Sequence, residues 1–139
     1  MDKRIIYTTP EGGIAVIIPS ANCGMTIEQI AAKDVPTGAS FDIVEAADIP
    51  ADRSFRGAWQ KDGAKIGVDV TRAQDITKDR LRAERAPLLV DLDVEYMRAT
   101  EQSDAAKQAT IAAEKQRLRD VTKLVDGVTD LQELKSIKV

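Results

Sequence analysis

Residues 3–19 read KRIIYTTPEGGIAVIIP. Two β-branched runs flank Pro10-Glu11-Gly12-Gly13, whose glycines can take the positive φ of a tight turn. The spelling predicts a β-hairpin. Just beyond it, Thr26-Ile-Glu-Gln29 is a capping-box sequence, in which the threonine hydroxyl and the glutamine side chain satisfy each other's backbone amides. It predicts a short helix with Ile27 and Ile30 on its buried face, stopped by Asp34-Val35-Pro36-Thr37-Gly38. The alternating run SFDIVEA, with Phe41 and Ile43 on one side, predicts a third strand. Residues 1–46 therefore read as a small ββαβ lobe, a three-stranded sheet with one helix against it.

Outward from this lobe the character changes. Residues 47–70 contain Pro50, Gly57, Gly63 and Gly67 and read as a connecting segment, with Ile66, Val68 and Val70 as a short extended edge. Residues 71–139 read as helical. Leu81, Leu88, Leu92, Tyr96 and Ala99 recur at steps of three, four and seven, one stripe of an amphipathic helix. Thr71 to Gln74 spells a cap for it, and Pro87 predicts a kink or short break near Arg85–Ala86. A second helix is expected from Ser103 or Asp104, with Ile111, Leu118, Val121 and Val125 as a narrow apolar seam. Thr129 to Gln132 is a third capping-box spelling, opening a short last helix with Leu131, Leu134 and Ile137. The expected fold class is α+β: the ββαβ lobe, then an antiparallel helical hairpin with a short C-terminal helix.

Composition narrows the function. Of 139 residues, 43% are hydrophobic but only 4% aromatic, so the core is mostly aliphatic. The formal charge is −3; residues 1–60 hold 5 basic and 8 acidic side chains, and the rest hold 15 of each. Neither part has the positive excess that phosphate-backbone binding requires, which argues against nucleic acid. No apolar run is long enough to span a bilayer. MDKRIIYTTPEGG lacks the apolar region of a signal peptide, and one cysteine cannot form an internal disulfide. The expectation is a chain made and working in the cytoplasm, away from membranes.

Catalysis has little to draw on. The chain has no histidine, which removes Ser–His and Cys–His arrangements. Cys23 reads as a small residue in a turn. Asp91, Asp93 and Glu95 are the densest carboxylate cluster, yet on a helix only Asp91 and Glu95 share a face, and a solvated, ion-paired surface is the stronger reading. The glycines of PEGG and DGAKIG match neither a P-loop nor a dinucleotide fingerprint. Lys78, Arg82 and Arg85 share a helical face, with Asp75 and Asp79 close enough to offset them. The expectation is a non-enzymatic protein with no cofactor and no metal site.

The only tryptophan lies in ADRSFRGAW, residues 51–59. Phe55 and Trp59 are four apart, so one helical turn would align them. They are expected to anchor the sheet lobe against the helical hairpin. For binding, the apolar seam of the hairpin is the candidate: Leu88, Leu92, Tyr96, Ile111 and Leu118, offered to a partner helix.

RAERAPLLVDLD (82–93), followed by YMRA (96–99) and by QRLRDVT (116–122) on the next helix, is similar to the C-terminal helical region of bacteriophage tail-fibre assembly proteins. The N-terminal part, from IIYTTPEGG through IPADRSFRGAW, resembles short proteins of unassigned role in phage tail modules. This resemblance implies a tail-fibre assembly factor or minor tail component that binds another phage protein, with self-association as a further option. It would act in the host cytoplasm during assembly, or remain in the virion tail. A phage-encoded inhibitor of a host protein, such as a defence antagonist, is the alternative.

Overall fold

Ile5 and Ile6 are neighbours in sequence and both fully buried. Side chains alternate across a strand, so this pair requires a cover on each face of the sheet. The strand that carries them, β1 (Lys3–Thr8), is the centre of a three-stranded antiparallel sheet, with β2 (Ile14–Ile17) on one side and β3 (Phe41–Glu45) on the other. The register sets Ile17 and Ile43 opposite Ile5. These three face helix α1 (Ile27–Asp34), whose Ile27, Ile30 and Ala31 complete the cluster. The expected capping box is present: Thr26 N donates to Gln29 Oε1 at 2.8 Å, and Gln29 N to Thr26 Oγ1 at 3.3 Å. Val35, held extended before a proline, ends the helix. Gly12, at φ 82°, makes the turn between β1 and β2.

Ile6 faces the other way and is covered by residues expected to be a connector. Strands β4 (Trp59–Asp62) and β5 (Lys65–Val68) form a second antiparallel hairpin, turned at Gly63 with φ 60°. Trp59 packs with Ile6, Ile14 and Val44, and Ile66 and Val68 close over them. Asp42, opposite Ile6 in the register, meets the Lys61 ammonium of β4 in a half-buried ion pair. The computed structural model describes residues 2–139. It divides into two units, Met1–Asp69 and Val70–Val139, so the segment 47–69 belongs to the first.

The aromatic pair differs from the expected helical geometry. Phe55 and Trp59 do not share a helical turn, because only Arg56–Ala58 is helical, as a single 3₁₀ turn, before Trp59 enters β4. Phe55 is buried, and Trp59, 1% exposed, has core neighbours from the sheet. Arg56 and Arg53 stand over the indole, their guanidinium carbons 4.5 and 5.9 Å from its centre.

In the second unit, α2 (Val70–Glu101) runs 32 residues without interruption. The break expected at Pro87 is absent. Proline removes the bond to the Ala83 carbonyl, but Ala83 and Pro87 lie on an exposed side, where water can satisfy that oxygen. α3 (Ala105–Asp120) packs against α2, capped by Asp104, whose carboxylate accepts from Lys107 N at 2.9 Å. A 3₁₀ stretch, Val121–Val125, leads to α4 (Leu131–Ser136). Two caps differ from the spelling. Gln74 donates across the unit to the Val128 carbonyl at 2.8 Å, a tertiary use that takes it away from Thr71. The last helix is capped by Asp130, which accepts from Glu133 N at 2.8 Å; aspartate is as good a cap as the neighbouring Thr129.

Charged side chains of α2 terminate the returning helices. Arg85 donates to the carbonyls of Leu118 and Arg119 at 3.2 and 2.7 Å, and Arg80 to that of Ile137 at 2.7 Å. Such carbonyls lack amide partners at a helix end, and a guanidinium supplies them. On the outer side of α3, Arg117 grips Glu114 through two hydrogen bonds of 2.9 and 2.6 Å and holds its carboxyl below the ordinary range. Lys123, and then Gln116, do the same for Asp120.

Trp59→Ala is expected to lower unfolding free energy by about 3–5 kcal/mol, as large-to-small core changes do. Arg56→Ala should cost no more than about 1 kcal/mol, the size of an exposed cation–π contact; urea titration measures both. Stability should stay level from about pH 6 to 8, since no histidine titrates there. Glu114 and Asp120 have folded pKa values below their unfolded ones, so their contribution is complete above the unfolded values. It should be lost as pH falls below about 4 and through the depressed folded values. Urea titrations across pH, with and without added salt, test this, and salt should flatten the slope because both pairs are exposed.

Candidate docking face on the helical hairpin

α2 has an apolar stripe on each of two opposite sides. At 3.6 residues per turn, Leu81, Leu88, Leu92 and Ala99 share one side, and Pro87, Val90, Val94 and Met97 share the other, about 180° away. The first side faces α3. Leu81 and Ala99 are fully buried there, and Ile111 and Leu118 of α3 are 4% and 1% exposed. Arg85 at one end, the Lys115–Asp93 ion pair of 2.5 Å in the middle, and Gln108 on Thr100 at 2.7 Å hold the two helices together. A two-helix hairpin is a single layer, so it can bury only one side of each helix.

The residues predicted for partner binding accordingly separate. Ile111 and Leu118 are core and cannot reach a partner while the hairpin is folded. Leu92 is half-buried between the helices, and Leu88 and Tyr96 are exposed at its margins, at 41% and 36%. Tyr96 lies under the Lys115 ammonium, 5.5 Å from the ring centre. Phe55 and Trp59 are buried and lie outside this helix.

The stripe that the leucine reading passed over is the more exposed one. Val90, Val94 and Met97 are 61%, 45% and 64% exposed. Their signal was present in the 3-4-3 spacing of Pro87, Val90, Val94 and Met97, the repeat of a coiled-coil seam. These four make an apolar band about 15 Å long, at 1.5 Å per residue. Asp91 and Arg98 flank the band and form no ion pair among the described residues. An apolar seam with unpaired charges beside it is the chemistry with which one helix recognises another.

The other candidates are committed within the chain. Lys78 pairs with Asp126 at 2.7 Å and Arg82 with Asp79 at 2.7 Å, while Arg85 caps α3, so no phosphate-binding row is left. Asp93 is held by Lys115, and among the described residues no three His, Cys, Asp or Glu side chains gather closely enough to hold a metal ion. Cys23 is exposed, with its thiol 3.8 Å from the Met25 carbonyl. Among the described residues no helix is long and apolar enough to cross a membrane.

Comparison with known proteins gives no match to any family model, curated protein or solved structure.

Removing a buried contact and removing a band residue should have opposite consequences. Leu118→Ala is expected to cost about 2–5 kcal/mol in urea unfolding. Val94→Ser should change stability by no more than about 0.5 kcal/mol, as surface substitutions do.

Proposed function

We propose that this chain is a non-enzymatic protein that works by binding another protein, with the band of Pro87, Val90, Val94 and Met97 as its docking face. The exposed apolar band carries the reading. Large aliphatic side chains scattered singly over a surface need no explanation, but a contiguous, ordered row does. The rigid helix beneath the band adds to this, because a pre-formed surface loses little conformational freedom on binding.

The narrower reading is a tail-fibre assembly factor or minor tail component of a phage, active in the host cytoplasm or retained in the virion. Its support is the likeness of residues 82–93, 96–99 and 116–122 to tail-fibre assembly proteins. In the hairpin these segments touch: Arg85 of the first donates to Leu118 and Arg119 of the last. The resembling residues thus build the hairpin that carries the band.

Affinity-tagged chain expressed in phage-infected cells should recover a phage tail protein, identified by mass spectrometry. A variant with Val90, Val94 and Met97 all changed to serine should lose that protein while unfolding at the same urea midpoint. Recovery of host proteins alone would contradict the tail-module reading. Undiminished recovery with the triple variant would contradict the docking face.

A further inference from the structure

The first unit carries a second recognition feature, separate from the helical band. Strand alternation puts Arg4 of β1 and Val16 of β2 on the same sheet face as Ile6 and Ile14. Beside the cover that Trp59 makes on that face, a cleft of about 220 Å³ opens. Arg4, Val16 and Ile18 line one part of it, and Ile49, Pro50 and Arg53, from the segment after β3, line the other. Ile18 is 65% exposed, a large aliphatic side chain left in water at the end of an edge strand. β2 pairs with β1 alone, so no strand of the sheet lies on its outer side.

The charge around this apolar floor is positive. Arg53 has no carboxylate partner among the described residues and stands near the Trp59 ring. Arg4 is half-neutralised: Asp2 lies 3.2 Å from it, and it also donates to the Lys3 carbonyl at 3.0 Å. The nearest carboxylate in sequence to Arg53, Asp52, turns back on its own loop, where one oxygen accepts from both the amide and the hydroxyl of Ser54. The cleft is smaller than the roughly 300–1,000 Å³ of sites for whole small molecules. It suits one or two side chains.

We infer that the cleft and the outer edge of β2 together bind an extended acidic segment of another protein. The segment adds as a strand beside β2, places an apolar side chain over Val16, Ile18 and Ile49, and sets a carboxylate against Arg53, with Arg4 as the weaker second anchor. Main-chain pairing supplies affinity in this mode, and alternate side chains supply selectivity. A guanidinium–carboxylate contact over an apolar floor selects acidic against basic segments.

The test is a titration of the isotope-labelled chain with a short capped peptide alternating valine and glutamate, followed by amide and arginine side-chain NMR shifts. The β1 pairing uses the amides of Ala15 and Ile17, so saturable shifts are expected at the outward amides of Val16 and Ile18 and at the Arg53 side chain. The same peptide with lysine in place of glutamate should give none. Arg53→Gln and Ile18→Ser should each weaken binding, Arg53→Gln by about tenfold, the scale of one hydrogen bond to a charged group. Both substitutions are at exposed positions, and unchanged amide dispersion checks the fold. Equal binding of the lysine peptide would overturn the inference. So would shifts that map away from β2, or shifts that acetate alone reproduces with the peptide adding nothing.

Discussion

Two elements of this chain are apolar on both sides, and the fold treats them differently. β1 buries Ile5 on one face and Ile6 on the other, and each needs a cover to exclude water. α1 supplies one and the β4–β5 hairpin supplies the other. The requirement explains why a glycine-rich stretch folds at all. Without Trp59 over Ile6, Ile14 and Val44, one whole face of a three-stranded sheet would stay wet, and so small a sheet has little stability to spare.

α2 presents the same demand and receives half of the answer. Its leucine side is covered by α3, and arginines from α2 seal the ends of α3 and α4. Its valine and methionine side has no cover. The helix runs continuously through Pro87, so the exposed band is a property of one unbroken helix. A bare apolar face on a rigid support is how a protein keeps a binding surface ready while its own folding is satisfied elsewhere.

Much of the fold was legible in the residues. The first hairpin, α1 with its capping box, the third strand and the order of the helices all follow from alternation, helical spacing and turn chemistry, and the α+β class follows from them. Of the second hairpin, only the extended run at Ile66 and Val68 is legible, because Trp59–Asp62 and Lys65–Val68 are short, charged and interrupted by Gly67. The Asp62-Gly63 pair that turns it is a known hairpin signal, outweighed by the surrounding glycines. Trp59 shows the limit of local reasoning: four-residue spacing from Phe55 suggests a helical pair, but the burial of Ile6 pulls the indole into a strand. The candidate docking face was half legible. Leu88, Leu92 and Tyr96 were recognised as one stripe, while the spacing alone could not say which stripe of α2 would meet α3. Leu118 and Ile111 fell on the covered side, and Val90, Val94 and Met97 on the bare one.

The claim that this bare side is a protein-binding surface has a direct test. A photo-crosslinking amino acid placed at Val94, in chain expressed in infected cells, should form a covalent adduct with a phage tail protein. The same group placed at Arg117, on an outward side of α3, should give no such adduct. Adducts at Arg117 and not at Val94, or none at either, would contradict the account.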